Sequence, residues 1–485
     1  MSHSPTIRQR KPIVLNAFNM NCVGHINHGL WTHPRDRSTE YNTLPYWIDL
    51  ARTLERGLFD GLFIADIVGV YDVYQAGIDL TLRESIKLPV NDPVVLVSAM
   101  AAVTQHLGFG VTVNPTTEHP YLLARRFGTL DHLTTGRIGW NVVTGYLDSA
   151  ARAIGLPQQI GHDDRYDQAE EFLDVFYQLL EGSWRDDAVK ADKGARIYTD
   201  PAAVRKIAHH GHHYQVEGVN LTAPSLQRTP VIYQAGTSDR GKAFAARHAE
   251  AVFISGNNKA LVRESVVALR QAAADAGRAP EDLKIVLGVS VVPGRTEAEA
   301  RDKDAEYRRY ANPEAGLAHF AAGTGIDFAR YGLDEPIAYG QTNSIQSAVA
   351  LAKRQGWTRR SMLEQYALGG RYPAIVGTGD QVADALQSWV DDTGVDGFNL
   401  TRTVVPESFE DFIDIVVPEL QNRGLHKSSY TQGSLRHKLF GKGNRLPDQH
   451  PAARWRHAAP EAANPTATAH SGTPATTQTT EESPA

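Results

Sequence analysis

The chain has 485 residues, 42% hydrophobic and 21% charged, with a net charge of -6. That composition suits a soluble globular core, excludes a fibre or a wholly unfolded chain, and gives no reason to expect a nucleic-acid partner. No run of about 18 apolar residues is available to span a membrane. The apolar stretch Ile13 to Phe18 is too short for a signal peptide, and the single cysteine, Cys22, agrees with a cytoplasmic location.

Short apolar runs alternate with amphipathic helical stretches, the pattern of a parallel sheet covered by helices. In chain order the strands are expected at Ile13–Ala17, Gly61–Ala65, Leu107–Val113, Arg137–Val143, Val231–Ala235, Ala251–Ile254, Ile285–Val292 and Gly397–Leu400. Between them, helices are expected over Tyr46–Gly57, Val94–His106, the HPYLLARRFGTLDHL segment, Tyr166–Leu180, Arg240–His248, Lys259–Ala276 and Phe409–Gln421. With the insertion after strand seven also helical in pattern, eight strand-helix pairs predict an α/β protein closed as a (β/α)8 TIM barrel. Insertions are expected after strand two, after strand four (Glu181 to Arg228) and after strand seven (about Thr296 to Pro373). The organisation is then a flexible N-terminus (1–10), a barrel (11–425), an extension packed on the barrel or a partner subunit (426–457) and a disordered tail (458–485). The tail is Ala, Pro, Thr, Ser and Glu, with nothing to bury.

Chemistry on such a barrel comes from the carboxyl ends of the strands. The polar residues there are Asn19, Asn21 and Cys22, then Asp66, then Asn114, Thr116 and Thr117, then Asn141 and Thr144, then Gly236 to Ser238. With Asp66 the obvious strand-end acid, a glycosidase pair of carboxylates is not evident. The AHHGHHY run, His209 to His213, reads as part of a surface hairpin, the alternative being a metal site. In QAGTSDRG, Gln234 to Gly241, a glycine and a helix start make either an anion cradle with Ser238 or an ordinary turn capped by Ser238 or Asp239. In HDDRYDQAEEF, His162 to Phe172, Asp163 or Asp164 caps a helix, or His162, Arg165 and Tyr166 reach a phosphate.

Several longer motifs together carry a resemblance: NAFNMNCVGHINHGLWTHP, LERGLFDGLFIAD, GVYDVY, PVNDP, EHPYLLARRFGTLDHLTTGRIGWNVVTG, HDDRYDQAEEFL, SLQRTPVIYQAGTSDRG and DGFNL. Over residues 11 to 457 the sequence resembles the bacterial-luciferase-like two-component flavin monooxygenases of the nitrilotriacetate and dibenzothiophene-sulfone group. Within that group it is most similar to the branch of the long-chain alkane and dimethyl sulfide monooxygenases. The resemblance implies reduced FMN delivered by a separate NAD(P)H-dependent reductase, O2 as co-substrate and no metal. It also implies a flavin 4a-hydroperoxide as oxidant, a small organic substrate, and a homodimer or homotetramer. Carried over by motif, Asp66, Thr112, Asn141, His162, Tyr166, Gly236 and Ser238 bind the cofactor, and Cys22, Tyr71 and His319 lie on the substrate side.

The sequence departs from the alkane branch at two places. Gly145 and Tyr146 stand where that branch has Ser-His, and Lys87 stands where it has a glutamine. A sulfone or aminopolycarboxylate substrate, or flavin or deazaflavin hydride transfer on the same barrel, are the alternative readings.

Overall fold

A computed structural model describes residues 12–236, 238–338, 345, 349, 352–354 and 356–457. The expected flexible N-terminus and disordered tail lie outside the described residues, as does part of the expected third insertion. Four parallel strands come first: β1 Val14–Met20, β2 Gly61–Ala65, β3 Gly108–Val113 and β4 Ile138–Val142. Two antiparallel ribbons follow, β5 Val189–Asp192 with β6 Ile197–Thr199, and β7 Ile207–His210 with β8 Gln215–Gly218. The chain then returns to parallel strands β9 Val231–Gln234, β10 Ala251–Ile254, β11 Lys284–Gly294, β12 Ala374–Thr378 and β13 Gly397–Thr401.

Pairing runs in the order β1, β2, β3, β4, β9, β10, β11, β13 and back to β1, which closes an eight-stranded parallel barrel. The eight expected strands are these eight. Strand β12 was not expected. It continues the pairing of β11 beyond the barrel, from Ser290↔Ala374 to Gly294↔Thr378.

The alternation of side chains divides the interior in two. Leu62, Ile64, Phe109, Val111 and Trp140 point outward into the main core beneath the helices. Phe18, Phe63, Tyr233 and Phe253 point inward and form a separate aromatic cluster, with Phe18 and Phe253 edge to face at 4.8 Å. Glycine on the inward face makes room for these rings. A Cβ added to Gly139 would stand 2.4 Å from the ring of Tyr233. Gly139→Ala is therefore expected to lower stability by about 1–3 kcal/mol through overpacking, seen as an earlier denaturant midpoint. An unshifted midpoint would mean that Tyr233 has room to move.

Three local expectations shift in the structure. The helix expected over Val94–His106 is a 3-10 turn, Val94–Leu96, followed by a helix that stops at Ala101. Glu55 instead collects the N–H groups of Gln105, His106 and Leu107 and steers the chain into β3. The helix placed at Tyr166 starts earlier and spans His162–Tyr177, with Gly161 rather than an aspartate at its cap. In the histidine run the expected hairpin strand is β8, but Ala208 to His210, expected as a turn, belong to its partner β7, and the turn falls later, where Glu171 accepts from the backbone of His213 and Tyr214. Glu171 also pairs with His209 at 3.0 Å.

Residues 426–457 close the amino-terminal end of the barrel. Leu435 lies over Gly108, and Arg436 reaches Glu250 at the start of β10.

Candidate active site

At the carboxyl end of the barrel the segments after β2, β4, β9, β10 and β11 enclose a cavity of about 230 Å³. Its floor is the aromatic cluster, through Phe18, Phe63 and Phe253. Of the ten residues expected in the site, Asp66, Thr112, Asn141, His162, Tyr166, Gly236, Ser238 and His319 line this cavity. Cys22 and Tyr71 lie behind its wall.

One end of the cavity is built from two helix starts. Ser238 is the N-cap of the helix Asp239–His248, and its Oγ accepts from Gly241 N at 3.1 Å. The same hydroxyl lies 3.4 Å from His162 Nε2. Tyr166 is buried, and Gln234 Nε2 donates to its hydroxyl at 3.4 Å. A Cβ at Gly236 would stand 2.4 Å from the Tyr166 hydroxyl, so glycine is required for this approach. Thr237 lies outside the described residues.

Mid-cavity, inward residues near the ends of β3 and β4 meet. Asn141 Nδ2 donates to Thr112 Oγ1 at 2.8 Å, which fixes the amide and leaves Asn141 Oδ1 buried with no partner among the described residues. A buried acceptor without a donor is costly. Asp66 follows β2 directly, and burial pushes its carboxyl up to about 7.

The other end is a network of tyrosines and histidines. The hydroxyls of Tyr71 and Tyr146 are 2.8 Å apart. Tyr71 stacks on His319 with ring centroids 5.4 Å apart, and His319 Nδ1 lies 3.0 Å from His28 Nε2. Burial, with the nearby Lys87 charge, holds His319 well below its ordinary value and His28 at about 3, so one of the pair donates and the other accepts without carrying charge. Cys22 Sγ donates to Gly24 O at 3.1 Å. Burial pushes its thiol up to about 11, which keeps it protonated at neutral pH.

Sequence reasoning did not select Arg371, His25, Gln234 or Tyr372, all of which line the cavity. Arg371 lies far in sequence from any barrel strand end. Two consecutive glycines of positive φ, Gly369 at 82° and Gly370 at 60°, turn the chain so that it faces the cavity. Among the described residues no group of three or more His, Cys, Asp and Glu side chains is arranged to hold a metal ion, and no helix is long and apolar enough to cross a membrane.

A closed parallel barrel that gathers a helix-start cradle, an unsatisfied amide oxygen and a tyrosine-histidine network at one mouth has room there for an organic cofactor beside a second reactant. The chain belongs to the luciferase-like monooxygenases, whose family profile matches residues 27–397. It is 49% identical to the dimethyl-sulfide monooxygenase of Hyphomicrobium sulfonivorans over 93% of this chain and 95% of that protein. It is likewise 49% identical to the long-chain alkane monooxygenase of Geobacillus thermodenitrificans, over 92% and 98%. Among solved structures, a riboflavin lyase with modified FMN and riboflavin superposes with a TM-score of 0.88 at 37% identity, over 92% of this chain and 100% of that one.

Proposed function

We propose that this chain is the oxygenase component of a two-component system, taking reduced FMN from a separate NAD(P)H-dependent reductase and oxygenating an alkyl compound of the alkane or dialkyl sulfide type. The balance is substrate, O2 and FMNH2 giving oxygenated product, FMN and water. When bound, reduced FMN supplies the activation of O2. The protein's part is to hold, orient and keep dry.

The observation that carries the reading is the cradle of Gly236, Ser238, His162 and Tyr166. A helix N-terminus, a hydroxyl and an imidazole, with a glycine that opens the backbone, suit the FMN phosphate. Asn141 Oδ1, oriented by Thr112, would accept a hydrogen bond from the cofactor, and Asp66 would supply a second polar edge. On the substrate side His319 and Tyr146 face the reacting partners. Tyr71 is a positioning residue that holds both of them. Cys22 acts further back, bracing the loop at Gly24.

Ser238→Ala tests the cradle. It should weaken reduced-FMN binding by about 1.5–3 kcal/mol, the range for a hydrogen bond to a charged group, or roughly tenfold to a hundredfold in Kd. Unchanged affinity in an anaerobic titration, with the fold intact by circular dichroism, would remove the phosphate from this end. Robust oxygenation driven by NADH with this chain alone, without a reductase, would sink the two-component reading.

A further inference from the structure

Lys87 and Arg371 both line the cavity. Lys87 is 7% exposed. Its backbone sits at φ 55°, unusual for a side-chain-bearing residue. Two backbone bonds hold it there, Lys87 N to Gly24 O at 3.1 Å and Gly24 N to Ser85 O at 3.1 Å. A cation pinned in a strained conformation at a cavity wall is a pattern found at functional sites.

Neither cation has a carboxylate partner among the described residues. The Lys87 ammonium lies 5.5 Å from the Tyr71 ring centre, and the Arg371 guanidinium 5.8 Å from that of Tyr372. The charged and titratable groups around Lys87 are Arg371, Arg402, Cys22, His25, His28, His319 and Tyr71, with Asp66 acting on the Cys22 thiol. Of these only Asp66, whose carboxyl burial pushes up to about 7, supplies negative charge near neutral pH, and it forms no ion pair with Lys87 among the described residues. Arg371 is half-buried and hydrogen-bonded to Tyr372, whereas the buried, unpaired Lys87 ammonium is expensive, and a ligand that brings an anion offsets the cost.

These cations do not serve the phosphate cradle. The cations acting on Tyr166 there are Arg165 and Arg240, whereas Lys87 and Arg371 act on His319. Beside them the lining turns apolar, with Ile26, Phe320, Gly323 and Ile345.

We infer that the substrate is an alkyl chain with an oxyanion head group, carboxylate or sulfonate, the head held by Lys87 and Arg371 and the chain laid against the apolar wall. The inference rests on the oxygenase reading of the same cavity and departs from it in one respect, giving the alkyl substrate an anionic head in place of a neutral alkane or sulfide.

Octanoate, octanesulfonate and the neutral 1-octanol can be titrated calorimetrically into protein saturated with oxidised FMN, which occupies the phosphate end. At pH 6.5 both anions should bind at least tenfold more tightly than the alcohol. Lys87→Gln should lose that preference and keep its octanol affinity, Lys87→Arg should restore it, and Arg371→Gln should weaken the anions alone. Lys87→Gln should also melt at a higher temperature, since it removes a buried cation. Burial holds the Lys87 ammonium down at about 7, so it is charged below that pH and neutral above it. Octanoate affinity should then fall as pH rises from 6 to 8.5. Lys87→Arg should remove most of this loss, the remainder following Asp66, whose carboxyl ionises over the same range. Equal affinity for octanol and octanoate, a preference that survives Lys87→Gln, or no binding of either anion would overturn the inference. Octane or dimethyl sulfide oxygenated with full coupling, and no gain from an anionic head, would also overturn it and leave the oxygenase reading standing. Lys87-dependent anion binding without product from any substrate would support the anion site and count against the oxygenase reading alone.

Discussion

Tyr71→Phe and His319→Ala should leave reduced FMN reacting with O2 while the product formed per flavin falls at least tenfold and released hydrogen peroxide rises to match. Tyr71 touches Tyr146 through its hydroxyl at 2.8 Å and His319 through its ring face. Phenylalanine keeps the stack and loses the hydroxyl contact, so Tyr146 is no longer aimed. Alanine at 319 removes the stack on Tyr71 and the 3.0 Å contact with His28 together. A displacement of about 1 Å at a reacting centre costs on the order of a hundredfold in rate. Both changes should therefore act on transfer to the substrate rather than on flavin affinity. Product and peroxide assayed together, after circular dichroism on each variant, give the split. Full coupling in both variants would place the reacting partners away from this network.

The barrel was legible because its strands are buried on both faces. Runs such as Val231 to Gln234 and Ala251 to Ile254 are short, apolar and bounded by turns, and the structure buries every residue in both. Strands β5 and β6 escaped notice for the opposite reason: every residue but Thr199 is exposed, so no burial pattern marks them. Strand β12 is only partly buried and is recruited by the overhang of β11, a tertiary fact that no local pattern records.

The site divides the same way. Asp66, Asn141, Gly236 and Ser238 could be read because the barrel's topology delivers strand ends to one mouth. Arg371 is delivered by a glycine turn inside an insertion, and nothing in its local sequence separates it from a surface arginine. Lys87 drew notice only as a departure from a resembling branch. Its burial without a counter-charge comes from the backbone pairing of Gly24 with Ser85 and Lys87, residues some sixty positions apart. For such residues the chemistry is written in what surrounds the side chain in space.

At the opposite end of the barrel, Arg436→Met should cost about 3–5 kcal/mol of stability, the range for breaking a buried ion pair from one side. Arg436 is 2% exposed and Glu250 2%. Arg436 Nε donates to Glu250 Oε1 at 2.6 Å, and Nη2 to Oε2 at 2.9 Å. The same guanidinium donates to the carbonyls of Thr229 and Pro230 at the entry to β9, and to Asn444 within its own segment. Methionine fills much of the volume and satisfies none of these acceptors, so Glu250 is left as a buried charge. Adding Glu250→Gln should recover part of the loss, because the interaction belongs to the pair. The comparison is made by denaturant unfolding of the two single variants and the double variant. A loss under about 1 kcal/mol in Arg436→Met would mean that the segment from 426 to 457 rests on the barrel without holding β9 and β10 in place. A large loss that the double variant partly recovers makes it a structural member of the barrel, tied across its floor to the strands that carry Ser238 and Phe253 at their far ends.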